Sequence, residues 1–177
     1  MSLLLHQFRA EQRLFWRSRE LAFFTFLLPI VFFLILGSAY GDEEIDGADG
    51  YLYLLSGMIG YGAAATAFAG LALLLVIRRE SGVLKRLRAT PLPGWTFITA
   101  VLGSIVFVFF LEAATLIVFG RLAFDVALPD NAVSLVAALA LGAASFAALG
   151  VGLTALIRSS EGSSAVVNAI YLPLAFI

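Results

Sequence analysis

Long apolar runs separated by short polar segments make up most of this chain. At about 1.5 Å per residue, a helical run of about 20 residues matches a hydrocarbon core about 30 Å thick. The pattern predicts four complete membrane-spanning helices and a fifth that is still running where the sequence stops. The predicted spans are residues 21–40, 51–77, 96–119, 133–157 and 165–177.

Residues 1–20 have a different pattern, with basic and apolar positions on opposite faces of a predicted helix. Such an amphipathic segment is typical of a helix that lies in the membrane interface. The alternative is a basic flank that only sets the orientation of the first span. The polar face carries His6, Arg9, Arg13 and Arg17, and the apolar face carries Leu4, Phe8 and Phe15.

The segment between the second and third spans, residues 78–95, holds five of the eleven basic residues. At about 100° per residue, Leu84 and Leu87 share one arc of a helix, and Lys85 and Arg86 lie on the opposite arc. A proline shortly afterwards would end this helix, because proline lacks the N–H donor. The segment therefore predicts a two-turn amphipathic helix beside the membrane.

The order of residues 79–92, Arg-Glu-x-Gly-Val-Leu-x-Arg-Leu-Arg-Ala-Thr-Pro-Leu, resembles the cytoplasmic loop after the second transmembrane helix of ABC-2 type permeases. These proteins are the membrane subunits of ATP-binding-cassette exporters, and in them this loop forms a coupling helix that docks on the ATPase subunit. The alternative is a basic loop that only contacts anionic lipid. The resemblance implies that coupling to the ATPase involves Glu80, Gly82, Leu84, Arg86, Leu87, Arg88 and Pro91.

The resemblance extends to the amphipathic N-terminus, to Leu28-Pro29-Ile30-Val31-Phe32 in the first span, and to the surroundings of Asn168 and Pro173 in the fifth. It implies an all-α, polytopic bundle of about five to six transmembrane helices with an N-terminal interfacial helix, in a single domain over residues 1–177. The family usually has six spans, so we expect that the C-terminus is truncated. A second permease copy or a paralogue, an ABC ATPase subunit and membrane lipid are the implied partners.

Glu112 is the only carboxylate inside a predicted span. A carboxylate at the centre of a span costs about 3 kcal/mol on the insertion scale, and an ionisable residue at this depth suggests a function by default. We expect Glu112 either to line a substrate path or take up a proton, or to be a protonated or hydrogen-bonded structural residue. Asn168 is a second polar candidate for the path, or for a hydrogen bond between helices.

Two spans carry small residues at four-residue spacing, which allows helix backbones to approach closely. We predict helix packing for both stripes, and a lining of the substrate path is the alternative for the second span. The stripe in the second span is Gly62, Thr66 and Gly70, and the predicted packing residues are Gly62 and Gly70 there and Ala140, Ala144, Ala148 and Gly152 in the fourth span.

Composition and charge agree with a membrane protein. Hydrophobic residues make up 62% of the chain and charged residues 13%, against about 25% charged in a typical soluble domain. With a cytoplasmic N-terminus, ten basic residues fall on the inner side and one, Arg121, falls outside. This asymmetry predicts that residues 78–95 face the cytoplasm. The implied location is the cytoplasmic (plasma or inner) membrane.

The sequence does not support an enzyme. The only lysine, Lys85, follows Val83 and Leu84 and not the glycines of a phosphate-binding loop, and one histidine leaves little for a metal or triad site. Nothing supports nucleic-acid binding. We therefore predict a transport subunit of an exporter for a drug, lipid or polysaccharide, resembling multidrug-resistance permeases, with ATP and Mg on the partner and no cofactor in this chain. The alternatives are a membrane scaffold protein or half of a secondary transporter.

Overall fold

The computed structural model describes residues 3–45, 47–89, 92–127, 131–157 and 159–174. In these ranges the chain forms seven helices and one short hairpin. The helices are α1 (Leu3–Arg17), α2 (Arg19–Tyr40), α3 (Gly50–Glu80), α4 (Val83–Arg88), α5 (Gly94–Phe124), α6 (Ala132–Thr154) and α7 (Ser160–Leu174). The hairpin pairs β1 (Glu44–Ile45) with β2 (Ala48–Asp49).

Four helices, α2, α3, α5 and α6, are long and apolar enough to cross a membrane. Helices α3 and α5 have 31 residues each, so each is about 46 Å long and extends beyond a core of about 30 Å. Helix α7 covers 15 described residues, fewer than a full crossing requires. The predicted polytopic helical bundle is confirmed.

Most helix bounds differ from the predicted spans by a few residues. Helix α5 begins two residues before the predicted position 96 and continues to Phe124, and α3 continues to Glu80. Hydropathy marks only the apolar part of a helix, whereas the backbone hydrogen bonds continue through its polar ends. Helix α6 ends at Thr154, three residues before the predicted end, and α7 begins at Ser160, five residues before the predicted start.

Helix α3 is the centre of the bundle, since it packs against α2, α5, α6 and α7. At one end of the bundle, Phe33 of α2 and Leu116 of α5 are fully buried against Leu55 of α3. At the other end, Leu71 of α3 and Phe97 of α5 are buried with Ala147 of α6. Every other spanning helix is therefore positioned by α3.

The middle of α3 is not regular α-helix. Ala63–Gly70 forms a π-helical segment between the α-helical segments Gly50–Gly62 and Leu71–Glu80. Hydrogen bonds in a π-helix span five residues, so each turn holds more residues than an α-helical turn. Gly62 is buried and Gly70 is exposed, which differs from the single packing stripe predicted there.

Helix α6 also packs in a register that differs from the prediction. Its buried face contains Ala143, Ala147 and Gly150, and a Cβ at Gly150 would lie 2.7 Å from the backbone oxygen of Phe68. The helix carries small residues on more than one face, and the contact with α3 selects residues spaced by four and three positions instead of a strict four-residue series. The predicted residues are exposed within this chain: Ala140, Ala144, Ala148 and Gly152.

Candidate functional site: a mid-membrane cavity and a coupling helix

The carboxyl group of Glu112 lies buried between α5 and α3. The residue is 2% exposed, and the Thr66 hydroxyl donates a hydrogen bond of 2.8 Å to its Oε2 atom. A Cβ at position 62 would lie 2.6 Å from Glu112 Oε1, so the glycine there makes room for the carboxyl group. The π-helical segment begins directly after Gly62 and contains Thr66. The irregular part of α3 thus forms the pocket wall against Glu112.

This contact lies near the middle of the membrane. The midpoint of α3, between residues 50 and 80, is residue 65, and the midpoint of α5, between 94 and 124, is residue 109. Thr66 is one residue from its midpoint, and Glu112 is three residues from its own, or about 4.5 Å. Both residues lie well inside the apolar runs 51–77 and 96–119, so the contact lies at membrane depth.

Helix α2 has its own irregularity at the same depth. Pro29 lies at the middle of Arg19–Tyr40 and is buried. Proline has no N–H, so the carbonyl of Thr25 lacks the donor that a regular helix provides four residues later. Pro29 and Thr25 line the same cavity as Thr66 and Glu112.

The cavity has a volume of about 510 Å³ and is bounded by α1, α2, α3 and α5. Ligand pockets in proteins have volumes of about 300–1,000 Å³ and mostly apolar walls. The walls here are mainly apolar, and polar groups are concentrated at two positions. One is the Thr66–Glu112 contact, and the other contains Glu11, Arg78 and Ser104.

The second polar position is a buried ion pair between α1 and the end of α3. Arg78 donates two hydrogen bonds to Glu11, from Nη1 to Oε1 at 2.9 Å and from Nη2 to Oε2 at 2.5 Å. The side chains are 13% and 5% exposed, respectively. Gln7 Nε2 also donates to Glu11, and the Phe97 ring lies 5.6 Å from the Arg78 guanidinium carbon. Sequence reasoning missed this pair, because Glu11 is separated from Arg78 by 67 positions.

Helix α1 packs on the bundle through these residues and through α5. Gln12 Nε2 donates to the Ser104 hydroxyl at 2.8 Å, and the rings of Phe8 and Phe107 meet edge to face at 5.8 Å. The predicted amphipathic helix is confirmed, with its basic face exposed. The opposite face of α1 does not contact lipid alone, because its residues close one side of the cavity.

Helix α4 is the predicted short amphipathic helix between the second and third spans. Gly82 precedes it with φ of +73°, a left-handed conformation that favours glycine. Leu84 and Leu87 are half-buried against a cluster that includes Leu71 and Phe97. Two of the predicted coupling residues therefore contact this chain's own bundle.

The outer side of α4 is basic. Lys85 and Arg86 are exposed, and so is Glu80 at the end of α3. The side chain of Arg88 and the whole of Pro91 lie outside the described residues. Among the described residues, the exposed part of the predicted coupling surface is thus the charged arc.

Arg79 connects the same end of α3 to α6. Its Nη1 atom donates to the carbonyl of Thr154 at 3.0 Å, and Nη2 donates to the carbonyl of Ile157. A cation at the C-terminal end of a helix satisfies terminal carbonyls and interacts favourably with the helix dipole. Two adjacent arginines therefore hold the end of α3 to α1 and to α6.

Asn168 does not lie at the cavity that contains Glu112. It is exposed on α7, whose buried face contains Val167 and Tyr171. Tyr171 packs against Tyr61 of the cavity wall, with ring centroids 5.7 Å apart. Of the two residues predicted for a substrate path, only Glu112 lies at the cavity.

The acidic residues that follow α2 have local structural contacts. Asp49 Oδ1 accepts a hydrogen bond from the Leu52 N–H at 3.0 Å and caps α3, and Asp42 accepts one from the Tyr51 hydroxyl at 3.1 Å. Within the described ranges, no group of three or more histidine or acidic side chains is placed to hold a metal ion.

Comparison with known proteins agrees with this architecture. The family model described as "ABC-2 type transporter" matches residues 3–177. The "Putative transport permease YvfS" of Bacillus subtilis (strain 168) is 24% identical over 176 residues, which cover 99% of this chain and 71% of that protein. No solved structure gives a significant match. Because the family model covers nearly the whole chain, this multi-pass transport permease belongs to the ABC-2 type transporter family.

Proposed function

We propose that this permease is the membrane-spanning subunit of an ATP-driven exporter, and that a separate partner subunit hydrolyses the ATP. The observation that carries the proposal is the placement of α4. This helix lies between two 31-residue spans and is anchored to the bundle by its apolar side, and its exposed side presents Lys85 and Arg86. Such a helix is a suitable contact for a partner that pushes on the bundle from outside the membrane.

The connections around α4 support a route for that force. Two residues separate α4 from α3, and the last turn of α3 contains Arg78 and Arg79. Arg78 holds α1 through Glu11, and Arg79 holds the end of α6. A displacement of α4 would therefore move three helices together, including two that bound the central cavity.

The same contacts support a cytoplasmic N-terminus. Helix α1, helix α4 and the segment after α6 are the regions predicted to lie on the inner side, and the hydrogen bonds of Arg78 and Arg79 place them at one end of the bundle. The excess of basic residues in these segments favours the cytoplasmic side of the plasma or inner membrane. In this location α4 has access to an ATPase and to ATP.

We further propose that two permease copies, or this chain and a paralogue, form the path together. The exposed series on α6 supports a contact between copies, since small residues on a membrane helix allow another backbone to approach closely. This series consists of Ala140, Ala144, Ala148 and Gly152. Glu112 and the cavity around it would then form the part of the path that each copy contributes.

Co-purification with a candidate ATPase subunit from the same organism tests the proposal. We expect the wild-type chain to capture the ATPase, and the double variant Lys85→Glu/Arg86→Glu to lose most of it, because both changes reverse exposed charge on α4. Arg121→Glu is the control, since Arg121 is also partly exposed but lies at the far end of α5. Equal capture by the double variant and the wild type would remove α4 from the coupling role.

A further inference from the structure

We propose that the cavity between α1, α2, α3 and α5 binds a lipophilic amine, a molecule with one protonated nitrogen and an apolar body. The inference rests on the proposed function, because it names the class of substrate that the permease would carry. Three features of the cavity support it: an uncompensated carboxyl group, a set of hydrogen-bond acceptors, and apolar walls.

The carboxyl group of Glu112 has a partner that cannot neutralise it. Thr66 contributes a hydroxyl donor at 2.8 Å, which satisfies one oxygen but carries no charge. The basic residue in the wall of the same cavity is Arg78, and its guanidinium already pairs with both oxygens of Glu11. Burying an ionised carboxylate is costly unless a cation accompanies it, and the carboxyl group otherwise takes up a proton. A cationic ligand would stabilise the ionised form.

Acceptors among the residues that line the same cavity also match an amine. Pro29 leaves the carbonyl of Thr25 without its usual helical donor, and both residues line the cavity. An ammonium group has up to three N–H donors and no acceptor, so it can use a carboxylate oxygen and a carbonyl together. Tyr61, also in the wall, presents an aromatic ring that can attract a cation.

The remaining walls suit an apolar body. Between the two polar positions the cavity is lined by side chains such as Leu28, Leu73, Ile105 and Val108. Its volume of about 510 Å³ is within the range of small-molecule sites. A hydrophobic body would displace water or lipid tails there, and the nitrogen would lie beside Glu112.

The depth and charge of the site favour a free amine over a lipid headgroup. An aminophospholipid carries a phosphate next to its amine, and that phosphate would place a second negative charge near Glu112. Glu112 also lies about 4.5 Å from the midpoint of a 31-residue span, far from the headgroup region. We therefore assign the site to a single-charged amine and make the lipid an outcome of the test.

Binding of radiolabelled dodecylamine to the purified full chain, measured by scintillation proximity, tests the assignment. We expect Glu112→Gln to weaken dodecylamine binding by about ten- to a hundredfold, the usual loss for a hydrogen bond to a charged group. Glu20→Gln, an exposed acid outside the cavity, should bind like the wild type. Dodecanol is the neutral analogue of the amine, and we expect it to bind the wild type and Glu112→Gln with equal affinity. Equal binding of dodecanol would also show that the variant retains its fold.

Three results would overturn the inference. One is equal dodecylamine affinity for the wild type and Glu112→Gln, and another is a wild type that binds dodecanol as tightly as the amine. The third is displacement of the amine by phosphatidylethanolamine, which would assign the site to a headgroup. If Glu112→Gln binds neither compound, Glu112→Asp is measured instead. This variant keeps the carboxyl group and should still bind dodecylamine more tightly than dodecanol; loss of that preference would overturn the inference. None of these results depends on capture of the ATPase. They would therefore refute the proposed substrate class and leave the proposed exporter function untouched.

Discussion

The Thr66 hydroxyl donates a 2.8 Å hydrogen bond to Glu112, and this contact joins the midpoints of the two longest helices. It gives a buried carboxyl group one fixed partner on the π-helical segment of α3. The contact lies on the side of α3 that faces α5, and it places a polar group in the wall of the central cavity.

Replacing Thr66 with valine should destabilise the protein by about 1–3 kcal/mol, because it leaves a buried acceptor without its donor. Thr66→Ser keeps the hydroxyl and should lose much less stability. The measurement is the midpoint of thermal unfolding in detergent. Thr115→Val is the control, since Thr115 is exposed and bonds only the Leu111 carbonyl of its own helix. If Thr66→Val and Thr115→Val unfold at the same temperature, the buried contact is not important for stability.

Replacing Gly150 with alanine should destabilise the bundle by about 1–3 kcal/mol, the usual cost of overpacking. The added Cβ would lie 2.7 Å from the Phe68 backbone oxygen, and backbone cannot move aside as easily as a side chain. Gly142→Ala is the matched control on the same helix, because a Cβ there meets nothing within 4 Å. Thermal unfolding distinguishes the two. An effect at Gly142 as large as that at Gly150 would contradict the close contact between Gly150 and α3.

Breaking the ion pair between Glu11 and Arg78 should release α1 from the bundle. Removing one member of a buried pair typically costs about 3–5 kcal/mol. We expect Glu11→Gln to lower the unfolding midpoint and to expose the segment around Ser18 to limited proteolysis. Arg13→Gln, an exposed change on the same helix, should do neither. A double-mutant cycle with Arg78→Gln should show strong coupling, and additive effects would contradict a direct role for the pair.

Replacing Leu84 and Leu87 with aspartate should also abolish ATPase capture, but for a different reason from the charge reversal at Lys85 and Arg86. The two leucines anchor α4 on a cluster that contains Leu71 and Phe97. We therefore expect the aspartate variant to become sensitive to protease near α4, whereas the charge-reversed variant stays protected. Proteolysis followed by mass spectrometry separates these outcomes. A protected aspartate variant that still captures the ATPase would contradict the anchoring role.

Much of the architecture follows from hydropathy and helical periodicity. The apolar runs predict the crossings, and the spacing of Leu84 and Leu87 predicts α4, because both features depend on residues close together in the chain. Both were found in the structure. The same applies to the basic face of α1, which lies exposed as its spacing predicts.

The parts that were not predicted depend on contacts between distant residues. The π-helical segment at Ala63–Gly70 has the same composition as an ordinary membrane helix, and α6 carries small residues on more than one face. In the sequence, Glu11 is a single acid on a basic helix. Only the packing of α1 beside Arg78 shows that the two residues form an ion pair. The charge of Glu112 predicts a functional role, but the spacing of Thr66 predicts only a packing stripe and not a bond to Glu112. A linear pattern cannot distinguish such alternatives, because tertiary contact selects among them.

Cross-linking from a single cysteine tests the coupling role of α4 most directly. The chain has no cysteine, so Lys85→Cys introduces a unique attachment point on the exposed side of α4. Leu122→Cys gives an exposed control at the far end of α5. With a membrane-permeant cross-linker in intact cells that also produce the ATPase, we expect position 85, and not position 122, to be joined to the ATPase. A product at position 122 and none at position 85 would contradict the account.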